Sequence, residues 1–446
     1  MKKEDIYQMV DELETVCKEA SRFIWNHPET GGNEKESANY YRVLLEREGF
    51  RITNSEKLEH AFYGEYGSGS PVIAILCEYD ALSGFSQKAS AKKEAIAKGA
   101  PGHGCGHNLL GAASATGAIA VKRLLEKENI SGTVRLYGCP EEELLDGKVK
   151  MAYHHMFDGC DLAIAWHPMS TNMVFDKAYL ASASAKFYFK GVSSHAGFAP
   201  EQGRSALDAV ELMNVGSNYL REHVMDKTRI HYTTDSGGYA PNIVPPDASA
   251  WYYVRAPRIS DVKDTLERIK NIARGAALMT DTQVTIKVES GCCEMKNNSN
   301  FAELTYQNLL EAGEIDYTTE ELEFAKELQN AVNPQCNSEK EGMFTGIAPR
   351  DQWKSTPLTA STDGGDVSYI MPMNTFTTAC WPVGVAPHTW QACAAVGTSI
   401  GERGAMQAAR VIAGTAWDLY HNPEIVREIV QEFEENPVKY EPMYEE

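Results

Sequence analysis

The run Gly102-His103-Gly104-Cys105-Gly106-His107-Asn108 constrains this chain more than any other stretch. It places a thiol and two imidazoles within five positions, and the interleaved glycines let the backbone bend a Cys and a His toward one metal ion. An Ala-rich amphipathic pattern follows over 109–127, with Asn108 suited to a helix start. The candidate ligands are thereby predicted on a strand-to-helix loop, where α/β enzymes build their sites. A Cys-x-His pair alone suits an ordinary core or surface position equally well, so the weight falls on what the rest of the chain supplies.

The first part of the chain alternates helical and strand patterns. Helices are predicted over 4–26 and 34–48, and continuous apolar runs over 71–77, 132–137 and 161–166 suit strands buried on both faces. Each run ends at polar residues: Glu78-Tyr79-Asp80, then Glu141-Glu142-Glu143, then His167. From about 181 to 294 the order changes to strand, helix, two strands, helix, strand, a split β-α-β arrangement. The polar stretch Asn297-Asn298-Ser299-Asn300 reads as the return linker, and an Ala-rich helix over 401–420 closes the pattern. With 446 residues, the reading is an α/β chain. A larger domain over 1–180 and 296–446 is predicted to have a mixed, largely parallel sheet wrapped by helices. An α+β, ferredoxin-like domain is inserted over 181–295.

A formal charge of -20 leaves no basic surface for nucleic acid or an anionic membrane, yet allows a local cationic pocket for a carboxylate. No stretch approaches the roughly 20 apolar residues of a spanning helix. The start Met1-Lys2-Lys3-Glu4-Asp5 lacks an apolar signal core, and the ten cysteines have no repeating spacing. These features predict a reduced, cytoplasmic protein in which Cys292-Cys293 is a pair of thiols.

Two adjacent acids on a strand-end loop divide labour readily: one ligates a metal, and its neighbour takes a proton from metal-bound water. Glu143 and Glu142 fit those two roles. His167 in Ala-Trp-His-Pro and His388 in Ala-Pro-His-Thr-Trp are each presented by a neighbouring proline that restricts the backbone. With Cys105, His107 and Glu143 they make five donors, enough for two divalent ions sharing a bridging ligand. Such a set suits zinc, manganese or cobalt rather than calcium. Asp80 is assigned to orienting a ligating imidazole. In the inserted part, His195, Asn242 and Arg255 offer donors to an oxyanion and a substrate carboxylate. The missing His-x-Glu with Pro-Cys-x-x-Cys pattern disfavours a zinc deaminase, and the spare carboxylate Glu142 disfavours a catalytically silent zinc protein.

Glu78 to Leu82, Gly102 to Asn108, Pro140 to Glu143 with Gly147-Lys148, Trp166-His167-Pro168, Ser194-His195-Ala196, Asn242 to Pro245, and Ser361-Thr362-Asp363 with Gly365 to Ser368 resemble, nearly end to end, the aminoacylase and hippurate-hydrolase branch of the dinuclear metallopeptidases. Within it, the Gly-His-Gly-Cys-Gly-His-Asn-Leu-Leu-Gly form and Pro387-His388-Thr389-Trp390-Gln391 are most similar to the p-aminobenzoyl-glutamate hydrolase group. The resemblance implies a bimetal catalytic domain, an inserted dimerisation or lid domain, and cleavage of an amide joining an acyl or aroyl group to an amino acid. It implies Cys105, His107, Glu143, His167 and His388 as ligands of two divalent ions, manganese or zinc with cobalt compatible, and Glu142 as general base. It also implies that His195 serves the partner's site, in a homodimer or a heteromer with a related chain. A dipeptidase or carboxypeptidase acting on small peptides is the alternative. Cys139-Pro140-Glu141-Glu142-Glu143 departs from the family's Thr-Pro-Ala-Glu-Glu, so which two of three acids enter the site rests on their distance to Gly147-Lys148.

Overall fold

The computed structural model describes residues 2–175, 179–332, 342–350 and 360–444. Among them the strands are β1 (Arg51–Asn54), β2 (Phe62–Ser68), β3 (Val72–Glu78), β4 (Gly132–Cys139), β5 (Leu162–Met169), β6 (Met173–Phe175), β7 (Ala181–Lys190), β8 (Arg229–Ser236), β9 (Asp247–Ala256), β10 (Gln283–Cys292) and β11 (Met373–Ala379). The chain divides into two compact units. The first comprises Met1–Lys177, Lys296–Pro357 and Val367–Tyr440; the second comprises Ala178–Met295, Leu358–Asp366 and Glu441–Glu446.

The first unit holds a seven-stranded sheet in the order β1-β2-β4-β3-β5-β11-β6. Its middle is parallel, through the pairs β4–β3, β3–β5 and β5–β11, and its edges are antiparallel. The apolar runs at β3 and β5 are buried over nearly their whole length, as central parallel strands require. Register then aligns their ends. Glu78 pairs with Cys139, and continuing Ile75↔Ile164 by three residues brings Glu78 level with His167.

The helix His107–Glu128 lies against this sheet and is buried nearly all round, which explains its run of alanines. It begins at Gly106, whose φ of 82° and close approach to Pro168 suit a residue without a side chain; a Cβ there would sit 2.7 Å from Pro168 Cγ. One turn on, Gly111 admits the carbonyl of Glu78: a Cβ would lie 2.8 Å from it and 2.5 Å from Tyr41 Oη. Trp166 Nε1 donates to the Leu110 carbonyl at 3.0 Å and locks the same turn to β5. Asn108 lies inside the helix rather than at its cap, and its amide donates to Ser21 Oγ and the Val396 carbonyl.

Other boundaries also depart from expectation. The first helix is two, Lys3–Asp11 and Glu14–Asn26, although Ile6, Val10, Leu13, Cys17, Ala20 and Ile24 keep one continuous apolar phase. Periodicity does not register a kink that leaves the buried face unchanged. Strand β5 runs through His167 and Pro168 instead of ending before them; there it pairs only with β11, so the missing proline N–H breaks no ladder on the β3 side. Strand β11 is not anticipated by the sequence pattern, because its threonines mask its burial. Thr377 Oγ1 donates to the Thr171 carbonyl at 2.7 Å and Thr378 Oγ1 to the Gly404 carbonyl at 2.9 Å, which offsets the desolvation of both hydroxyls.

The second unit has an antiparallel sheet in the order β10-β7-β9-β8 with helices Ala206–Leu220 and Ile259–Met279 packed on it. This is the ferredoxin-like order inferred from the sequence rhythm. The nine cysteines among the described residues are thiols outside any disulfide, Cys292 and Cys293 included. No described helix is long and apolar enough to cross a membrane.

Gly111→Ala should destabilise the first unit by about 1–3 kcal/mol, since the added methyl must displace β3 or Tyr41. Chemical denaturation followed by tryptophan fluorescence measures it; an unchanged midpoint would show that the helix does not need this close approach.

Candidate metal centre

The carboxyl ends of β3, β4 and β5 bring polar side chains to one level, and the start of helix His107–Glu128 adds two more. Cys105 Sγ lies 3.4 Å from His167 Nε2. His388 reaches the same place from a loop: its φ is 59°, and its backbone N–H donates to the Gly104 carbonyl at 2.9 Å. His388 Nε2 stands 3.4 Å from Glu143 Oε2. The donors form two sets with metal-ligand spacing, Cys105/His107/His167 and Cys105/Glu143/His388, and Cys105 belongs to both. All five residues named as ligands from the sequence are thus gathered, from positions up to 283 residues apart.

Hydrogen bonds to the backbone and to Asp80 decide which ring atoms face inward. Asp80 is buried; its Oδ1 lies 2.8 Å from His107 Nδ1, and its Oδ2 accepts the Glu143 N–H at 2.8 Å. His167 Nδ1 is 2.8 Å from the Pro168 carbonyl, which can only accept, so that nitrogen carries the proton. Both imidazoles therefore turn Nε2 inward. His107 Nε2 and Glu143 Oε1 are buried without a hydrogen-bond partner among the described residues, which fits donors suited to a cation. Burial pushes the Cys105 thiol up and Glu143 to about 7, and it holds His167 down to about 4. A neutral imidazole is ready to ligate, whereas the thiolate and carboxylate need a positive field to stay ionised here.

The three acids separate. Glu141, at φ 61°, pairs with Lys150 Nζ at 2.6 Å, and its N–H donates to the buried Glu34 Oε1 at 2.7 Å. Glu142 Oε2 faces His107 Nε2 at 3.8 Å, and Glu143 faces His388. His103, the other imidazole of the glycine-rich run, turns away and donates Nε2–H to the Ile24 carbonyl at 3.1 Å.

Sequence reasoning misses two residues of this cluster. Glu78 ends β3 beside His107, with a third donor set Glu78/His107/Glu142, and Lys148 pairs with it at 2.7 Å. The signal for Glu78 is a carboxylate closing a buried apolar strand, but a Lys on a short helix gives no sequence sign of burial.

In the second unit, His195 lies on the loop after β7 and bridges Ile243. Its Nδ1 accepts the N–H groups of Gly197 and Phe198 at 3.2 and 3.1 Å, which leaves the proton on Nε2. The Ala196 N–H donates to the Asn242 carbonyl at 3.0 Å, so these two loops are adjacent; Asn242 lies in a turn, not on a strand. Arg255 is not with them. Lys190 pairs with Asp247 where those loops leave the sheet, but Ser182 pairs with Arg255 at the other end of β9, roughly 27 Å along the strand.

Comparison with known proteins gives these arrangements a context. Residues 181–280 match a peptidase dimerisation domain of the M20 type. The chain is 39% identical to one of the p-aminobenzoyl-glutamate hydrolase subunits of Escherichia coli K12, over 97% of this chain and 95% of the relative. The chain belongs to the M20 peptidase family. It is also 26% identical to the Xaa-Arg dipeptidase of Mus musculus, over 96% of this chain and 90% of that one. It shares its fold with a dinuclear metal-binding M20 peptidase from Bacillus subtilis, with a TM-score of 0.59 at 18% identity, covering 92% of this chain and 99% of the other. As an M20 peptidase it is a hydrolase of linear amide or peptide bonds.

Asp80→Asn should weaken divalent-ion binding by about 10- to 100-fold, because one amide group cannot accept both the His107 and the Glu143 N–H. Calorimetric titration of metal-free protein measures this; unchanged affinity would show that Asp80 does not orient the ligands.

Proposed function

We propose that this M20 peptidase is a metal-dependent amidohydrolase that cleaves the amide between an acyl or aroyl group and an amino acid, p-aminobenzoyl-glutamate being the model substrate. The observation that carries this reading is the pair of donor sets meeting at Cys105, with Glu142 directed at the same place. Cys105, His107, Glu143, His167 and His388 would hold two divalent ions, manganese or zinc, with cobalt compatible. Ions bound there would supply Lewis acidity, polarising the amide carbonyl and easing the ionisation of water.

Glu142 is buried beside the ligands, whereas Glu141 is turned to Lys150. Glu142 acts as general base, takes a proton from the attacking water, and returns it to the amine nitrogen as the C–N bond breaks. His195 presents Nε2–H, a hydrogen-bond donor suited to a developing oxyanion rather than a base. By the family resemblance it serves the neighbouring protomer, in a homodimer or in a heteromer with a related chain. The Escherichia coli relative is itself described as one subunit of a hydrolase, which supports an oligomer. Asn242, beside His195, is the better donor for the substrate carboxylate; the strand position of Arg255 argues against a shared role. The mostly buried cysteines, none of them in a disulfide among the described residues, support a cytoplasmic setting.

A dipeptidase acting on small peptides is the second reading, favoured by the likeness to the Xaa-Arg dipeptidase. Turnover of aroyl-glutamates, N-acyl-amino acids and dipeptides, with and without chelator, separates the two. Aroyl- or acyl-amino acids should be cleaved fastest, and chelation should abolish turnover. Full activity in verified metal-free protein, or cleavage of dipeptides alone, would overturn the proposal. Glu142→Gln should keep its metal by elemental analysis yet lose about 10²- to 10⁴-fold in turnover.

His195→Ala should fold and hold metal but lose about 10²- to 10³-fold in turnover. Mixed dimers with Glu142→Gln should regain one working site if His195 acts in trans. No recovery in verified mixed dimers would place its action within its own chain or outside catalysis.

A further inference from the structure

Glu78 and Lys148 form a buried pair that the hydrolytic scheme does not use. Glu78 is 7% exposed and Lys148 1%. Lys148 Nζ donates to Glu78 Oε1 at 2.7 Å. The second oxygen, Oε2, has no hydrogen-bond partner among the described residues and lies 3.4 Å from His107 Nε2. That nitrogen is the inward-facing one, since Nδ1 is held by Asp80. A Glu142 oxygen completes the group, and the three donor atoms lie within 4.8 Å of one another, the spacing of ligands around one ion.

We propose that Glu78 is a sixth donor of the centre, its Oε2 binding the ion held by His107 while Lys148 aims it through Oε1. The inference rests on the metal-centre reading above. Without Glu78 the set Cys105/His107/His167 offers only sulfur and nitrogen, a soft site that favours zinc. A carboxylate hardens it and widens its use to manganese.

Metal-free protein titrated with Mn²⁺, followed by its electron paramagnetic resonance, and with Zn²⁺, followed by calorimetry, provides the test. Two variants are compared with the wild type: Glu78→Gln, and the double variant Glu78→Gln/Lys148→Met, which removes both members of the buried ion pair. Both should lose about 10- to 100-fold in Mn²⁺ affinity and markedly less for Zn²⁺. Equal Mn²⁺ affinity in wild type and double variant would overturn the proposal. So would a loss in Glu78→Gln that the double variant restores, since the pair would then serve the fold alone. A wild-type chain that takes up neither ion removes the metal-centre reading and this inference with it, an outcome distinct from wild-type binding that the variants share.

Discussion

A single buried carboxylate ties the site together. Asp80 accepts from His107 Nδ1 with one oxygen and from the Glu143 backbone with the other, so it joins the end of β3, the start of the long helix and the acid-bearing loop after β4. Burying a carboxylate is costly unless each oxygen is satisfied, and this one is satisfied only when those three segments are in place. The geometry of the donor set and the packing of the sheet against the helix are therefore one condition. Gly106 and Gly111 permit it sterically, because the helix must approach Pro168 and the Glu78 carbonyl more closely than any side chain allows.

The electrostatics follow from the same crowding. Glu78, Asp80, Glu142 and Glu143 converge where the donor sets meet, with Lys148 as a buried counter-charge. Glu141, Lys150 and Glu34 stand behind them and hold the loop in its left-handed turn. Glu141, the first acid of the run, is turned out to a lysine. In the second unit the same economy is local: two backbone N–H groups select the tautomer of His195.

Much of this was legible in the chain. Continuous apolar runs mark β3 and β5 because strands buried on both faces cannot alternate, and the Ala-rich pattern marks a helix buried nearly all round. What periodicity does not reveal is either polar and buried or a kink. Strand β11 hides behind threonines whose hydroxyls find carbonyls far away in sequence, and the break after Asp11 leaves the apolar phase intact.

The sequence by itself determined the alternation of strands and helices, the family, and the chemical identity of the donors, because residue type and periodicity are local properties. Tertiary structure alone decided that Cys105 stands between two donor sets, that Glu141 is excluded while Glu142 and Glu143 face inward, that Glu78 and Lys148 join the cluster, and that Arg255 lies at the far end of β9 from His195. These are matters of register and direction between segments distant along the chain, and register follows from how buried polar groups are satisfied across the whole sheet.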